Sequence, residues 1–404
     1  MRLQPVLAGI VLVIVGFAST FAVVLSGLRA IGADERQAAS GLLILSVTMG
    51  LSSIFLGLRY RMPISIAWST PGAALLASGV GQDITYRAGL GAFAVTGVLL
   101  ALTGLSARLA RLIAAIPVPL ASAMLAGVLL PLCLAPVKAV AELPRAAVPV
   151  VLTWLVLGRF ARTRMWAVPA ALAVALASVW LTRPADAPAF SSPLPALDFE
   201  WPTLSFGALI GIALPLYIVT MASQNIPGMG VLAANGYRPD LRPVLTTTGA
   251  ATVLGAPFGG HVVNLAAITA QLAAGPEAHP DRDRRWIASV TGGVVYLLLA
   301  PVSGLAVSFV ATAPPLLIGS VAGLALFAAL ASSLHAAVQD PEAREAAVIT
   351  LVVSASGITA LGIGAPFWGL LAGLAYHRLT TRPRPRPVPE AQETDEEPSA
   401  TPRP

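Results

Sequence analysis

Between Pro5 and Leu28 the chain runs for 24 residues without a charged side chain, longer than the roughly 20 residues a helix needs to cross bilayer hydrocarbon. Comparable runs recur to about residue 380. A soluble globule has no core large enough to hide them. Only 11% of the 404 residues are charged and 56% are hydrophobic, against about 25% charged in a soluble domain. The chain therefore reads as an all-α polytopic membrane protein whose first partner is the lipid bilayer. The net charge of +6 does not point to nucleic acid, because the arginines sit in short segments between apolar runs, as membrane topology requires.

Spans are expected near 5–28, 37–57, 63–79, 85–106, 117–137, 145–161, 165–182, 203–224, 242–257, 259–274, 285–311, 314–335, 343–361 and 363–379. The first is too long for a signal-peptide core and is read as a retained helix. Residues 381–404 turn to Pro, Arg, Glu and Asp, a composition expected to give a disordered cytoplasmic tail. With the N-terminus inside, alternate segments hold 19 of the 25 basic residues on the cytoplasmic side. That bias supports an even number of spans and two cytoplasmic termini.

Pro119-Leu-Ala-Ser-Ala-Met-Leu-Ala-Gly127 opens the fifth expected span, and Pro315-Leu-Leu-Ile-Gly-Ser-Val-Ala-Gly323 opens the twelfth, 196 residues later. Seven helices separate them. An odd number inverts the second copy in the membrane, a signature of secondary transporters. The small-residue faces Ala121 to Gly127 and Gly319 to Gly323 are expected to make gate contacts or a homodimer interface.

The third span carries Trp68-Ser69-Thr70-Pro71-Gly72-Ala73. Pro71 fits a first helical turn and Ser69 or Thr70 its N-cap, so a half-helix is expected to begin at membrane depth. One repeat later, Gly259-Gly260-His261-Val262-Val263-Asn264 suggests a second break with Asn264 as the cap, so half-helix/short-strand breaks are expected in spans 3 and 10. Irregular backbone persists in a membrane only where protein buries it or a cavity adjoins it. Helix N-termini favour anions, so the cavity is expected to hold an anionic or acceptor-rich substrate.

Carboxylates are nearly absent from the spans; Asp83, Asp340, Glu342 and Glu345 lie near predicted ends. A proton-coupled carrier here needs another titratable group, and His261 is the candidate proton carrier because imidazole changes charge near neutrality. His279, His335 and His377 fall in loops or at helix ends. Ser223, Gln224 and Asn225 precede Pro227-Gly228, and their neutral polar groups suit orienting a carboxylate. No zinc spacing, P-loop or hydrolase constellation appears, so neither an enzyme nor a cofactor or metal is expected.

Arg59-Tyr-Arg-Met-Pro63, Ala67-Trp-Ser-Thr-Pro-Gly-Ala-Ala-Leu75, Pro119 to Val128, Ser223-Gln-Asn-Ile-Pro-Gly-Met229 and Gly255-Ala-Pro-Phe-Gly-Gly-His261 resemble the benzoate:proton symporter family, BenE, over roughly residues 5 to 380. The resemblance implies import of benzoate, or a similar small aromatic carboxylate, with protons across a bacterial inner membrane. It extends to the uracil- and xanthine-type nucleobase permeases, whose fold has fourteen spans in two inverted repeats of seven. That implies core segments at 1–115 and 201–312, gate segments at 116–200 and 313–380, and the tail at 381–404. Where those permeases carry binding carboxylates, this chain has Ser223-Gln224 and His261, a change suited to an anionic substrate.

The expected mechanism is elevator-like alternating access. Trp68 would contact the ring; Gln224, Asn225 and His261 would orient the carboxylate between the half-helix starts at Ser69 to Ala73 and Asn264. Competing readings are a same-fold carrier of another anion or a nucleobase, or an anion channel.

Overall fold

The computed structural model describes residues 3–80, 84–160, 163–182, 195–267, 269–361 and 363–380. The expected tail at 381–404 lies outside them, as does Asp83. The described chain is mostly helical, and eight of its helices are long and apolar enough to cross a membrane: Gln4–Ala30, Glu35–Tyr60, Tyr86–Leu105, Val118–Glu142, Arg164–Leu181, Phe206–Ala234, Arg282–Val310 and Pro315–Val338. Pro144–Gly158, Leu241–Gly255, Arg344–Ala355 and Ala365–Thr380 are shorter. Their 12 to 16 residues rise about 18–24 Å at 1.5 Å each, less than the roughly 30 Å of hydrocarbon.

Local chemistry sets the ends of the helix that leads to the central sheet. Asp34 and Gln37 form a reciprocal capping box at the start of Glu35–Tyr60, and Arg61 stops that helix in the left-handed conformation. The chain then turns into strand β1, Ile66–Trp68, which pairs antiparallel with strand β2, Val263–Leu265, in the register Ile66–Leu265, Ala67–Asn264, Trp68–Val263. Ser69 N–H to the Val262 carbonyl and Ala266 N–H to the Ser65 carbonyl, both 2.9 Å, extend the ladder.

Neighbouring helices accept from three outward-facing N–H groups of this two-stranded sheet. Ser53 Oγ accepts from Ile66 at 2.9 Å, Thr252 Oγ1 from Val263 at 3.2 Å and Asn225 Oδ1 from Leu265 at 3.0 Å. Those bonds let an open sheet sit among apolar helices, where an unmatched backbone group costs several kcal/mol.

After β1 a helix begins at Thr70, with Ser69 as N-cap accepting from Gly72 N–H at 3.1 Å, and it loosens into a π-helical turn at Leu76–Val80. The matching expectation for Asn264 does not hold. Asn264 sits inside β2, and the following helix is only Ala270–Ala274. The β-branched run Val262-Val263 is drawn into pairing with β1, which moves the helix start beyond the amide.

The eighth expected span also differs, since it does not end at Gln224. Phe206–Ala234 continues through Pro227, because a π-helical turn at Met221–Asn225 absorbs the bond that the missing proline N–H would have made.

Two pairs of glycines let helices approach backbone to backbone. A Cβ on Gly50 would lie 2.7 Å from the Gly293 carbonyl and vice versa, and a Cβ on Gly97 would lie 2.8 Å from that of Gly249. Gly127 packs on Ser354 and Leu351, and Gly323 on Leu132 and Pro136. Gly127 and Gly323, the last residues of the two small-residue faces, thus pack against other helices of the same chain.

Candidate substrate cavity

A cavity of about 470 Å³ separates the half-helix after β1 and the span Phe206–Ala234 from the helices Val118–Cys133 and Pro315–Val338. Pro71, Ala222, Ser223, Gln224 and Pro227 line one wall; Ala121, Ser122, Leu125, Ser332 and Ser333 line the other. The lining is mainly apolar with a few hydroxyls and one carboxamide, within the roughly 300–1,000 Å³ of small-molecule sites.

The π-helical turn decides which residues of Ser223-Gln224-Asn225 reach it. Ser223 faces the cavity, its hydroxyl donating back to the Val219 carbonyl at 2.5 Å. Gln224 is largely buried, yet its amide makes no hydrogen bond among the described residues. It is ready to donate to a ligand. Asn225 points the other way and is fully buried, holding β2 through Leu265 N–H while its amide contacts Met221 Sδ at 3.5 Å.

Around the half-helix, the cap leaves little bare backbone. Pro71 has no N–H, Gly72 donates to Ser69 Oγ and Ala73 donates to the Ser69 carbonyl at 2.8 Å. Of those first-turn donors only Thr70 is left, so the half-helix acts on the cavity chiefly through its dipole. Ser69 also bonds Thr220 Oγ1 at 2.9 Å, fastening the half-helix to the span that carries Gln224. Gly72 faces the core: a Cβ there would meet Leu216 Cδ1 at 2.5 Å and Ser69 Oγ at 2.7 Å.

Trp68 is buried and does not line the cavity; its indole N–H donates to Thr20 Oγ1 at 2.8 Å and its ring lies 5.3 Å from Phe17. With its amide turned so that the oxygen faces Ser69, Asn264 accepts from that N–H at 3.2 Å and donates to the Leu265 carbonyl at 3.0 Å. His261 is 1% exposed, and neither ring nitrogen has a hydrogen-bond partner among the described residues. Its ring packs edge-on against Phe93, 6.3 Å away. Of the eleven expected site residues, Pro71, Ser223 and Gln224 therefore meet at the cavity, whereas Trp68, Ser69, Thr70, Gly72, Ala73, Asn225, His261 and Asn264 do not line it. The serines of the opposite wall had no motif to announce them, because serine is common wherever helices pack closely in membranes.

A family model described as benzoate membrane transport protein, BenE, matches residues 1–379. The chain is 38% identical over 371 residues to the inner membrane protein YdcO of Escherichia coli, covering 91% of this chain and 93% of that one. It is 28% identical over 391 residues to the benzoate membrane transport protein of Acinetobacter baylyi, covering 95% and 96%.

Solved structures share the fold. SLC26A9 aligns with a TM-score of 0.62 at 15% identity over 93% of this chain and 65% of its own, so this chain spans just under two thirds of its length. The transmembrane domain of the cyanobacterial bicarbonate transporter BicA aligns with a TM-score of 0.59 at 13% identity, over 93% and 98%. Murine Slc26a9, an anion transporter in the inward-facing state, gives 0.61 at 13%, over 93% and 68%. Multiple apolar membrane-crossing helices, a fold shared with membrane transporters and a family match over nearly the whole described chain lead to one assignment: the chain belongs to the benzoate membrane transport protein family, BenE.

Proposed function

We propose that this protein imports benzoate, or a closely similar aromatic carboxylate, together with protons across a bacterial inner membrane, with both termini cytoplasmic. The observation that carries the substrate class is the cavity at Gln224: an apolar space sized for a small molecule, one unpaired amide donor, and no carboxylate in its lining to repel an anion. The benzene ring would lie among Ala121, Leu125 and Ala222, with its carboxylate toward Gln224, Ser223 and the half-helix dipole.

Fourteen spans in two inverted repeats of seven are supported by the close glycine contacts. The partners Gly50–Gly293 and Gly97–Gly249 exchange under an offset of 196 to 199 residues, as an inverted repeat requires. In this reading residues 1–115 and 201–312 form the core and 116–200 and 313–380 the gate. The cavity lies between them, where an elevator-like displacement of the core would carry it across the membrane.

His261 is the candidate proton carrier within the spans. Its lack of a hydrogen-bond partner behind Phe93 means that it would act on the cavity indirectly, by gaining a partner when the core moves. A carrier of a small inorganic anion is the second reading, favoured by the fold likeness to BicA. Binding assays on the purified protein with benzoate, bicarbonate, sulfate and uracil separate the two. Benzoate alone should bind and stabilise the protein; saturable binding of bicarbonate with none of benzoate would overturn the aromatic-acid reading.

A further inference from the structure

A second crevice, of about 320 Å³, runs beside the span Phe206–Ala234, lined by residues of that span that precede Gln224. Met124, Leu214, Ile218, Phe367 and Leu371 form its apolar walls, and Arg378 is the one charged residue in its lining. Arg378 is exposed, and no ion pair or hydrogen bond engages it among the described residues. A further wall residue, Ala115, follows the short helix Ala107–Ala114, which carries the exposed residues Arg108 and Arg111 three positions apart on one face. The helix joins the span Tyr86–Leu105 to the helix Val118–Cys133, so Arg108 and Arg111 lie in the connection that leads to the crevice wall at Ala115.

An apolar crevice with a bare guanidinium in its lining, and two further arginines on the helix that leads to Ala115, matches one ligand chemistry in a bilayer. We infer that an anionic diacyl phospholipid from the leaflet at the Arg378 end seats an acyl chain in this crevice and its phosphate on Arg378, with Arg108 and Arg111 supplying the surrounding positive field. Guanidinium pairs with phosphate bidentately, and basic residues at a membrane surface recruit anionic headgroups. A lipid in this position would brace Phe367 and Leu371 against Leu214 and Ile218, which lie on the same span as Gln224. The inference is independent of which substrate the cavity takes.

The test uses the full chain, purified and delipidated in detergent, with melting temperature and native mass spectrometry as readouts. Dioleoylphosphatidylglycerol should raise the melting temperature several degrees more than dioleoylphosphatidylcholine and remain bound as one or two copies. Arg378→Gln should remove most of that preference and Arg378→Lys should keep much of it. Ala115→Trp, which narrows the crevice while leaving every arginine in place, should lower lipid retention. Equal stabilisation by the two lipids, or an unchanged preference in Arg378→Gln, would overturn the inference. So would a full effect from glycerol 3-phosphate or from oleate alone, which would assign the crevice to a headgroup or a fatty acid. Benzoate stabilisation lost in Arg378→Gln would assign it to the substrate, and overturn it equally.

Discussion

Replacing Gln224 by leucine removes the one carboxamide that the cavity offers, and the structure separates its effect on binding from its effect on folding. The Gln224 amide has no hydrogen-bond partner among the described residues, so leucine breaks no internal bond and leaves the melting temperature unchanged or slightly higher. Binding should suffer. A hydrogen bond to a charged group contributes about 1.5–3 kcal/mol, and about 1.4 kcal/mol is tenfold in affinity, so benzoate should bind roughly 10- to 150-fold more weakly. Gln224→Glu, nearly identical in shape, should weaken binding further by setting one carboxylate against another. Isothermal titration with benzoate, paired with thermal denaturation of the same samples, reads both quantities. An affinity within twofold of the parent protein, or a loss matched by a fall of several degrees in melting temperature, would refute the assignment of Gln224 to the ligand.

Residues outside the cavity lining should behave differently. Asn225→Leu strips the acceptor from the buried Leu265 N–H and should cost about 1–3 kcal/mol of stability; a lost affinity with an unchanged melting temperature would place Asn225 at the substrate instead. Gly72→Val drives a side chain into Leu216 and Ser69, an overpacking that typically costs about 1–3 kcal/mol, so binding and melting temperature should fall together in a thermal-shift titration. His261→Gln should preserve benzoate binding while abolishing the dependence of uptake on the proton gradient; gradient-driven accumulation at the parent level would remove His261 from coupling.

What the sequence made legible is what local chemistry decides. Ser69 caps the half-helix that Pro71 opens because a hydroxyl and a pre-set φ act within one turn, wherever the rest of the chain lies. Asn264 misled for the opposite reason. Whether Val262-Val263 becomes strand or helix start depends on a partner strand nearly two hundred residues away, and only that pairing moves the helix beyond the amide. Pro227 likewise reads as a break until a π-helical turn one step earlier accommodates it. That turn points Gln224 toward the cavity and Asn225 toward β2, which spacing alone does not distinguish. Trp68 offered a plausible aromatic face, yet its bond to Thr20 makes it part of the wall behind the site. The serines on the far wall belong to helices brought there by packing, and isolated serines carry no pattern to read.

Proton-coupled benzoate import is measured by reconstituting the purified protein in liposomes and following labelled benzoate with and without an inward proton gradient. Proton-coupled import requires accumulation above the external concentration when the gradient is present, collapse of that accumulation when an ionophore dissipates it, and suppression in Gln224→Leu. Uptake that stops at equilibrium whatever the gradient, or no uptake by a preparation that binds another anion, would contradict it.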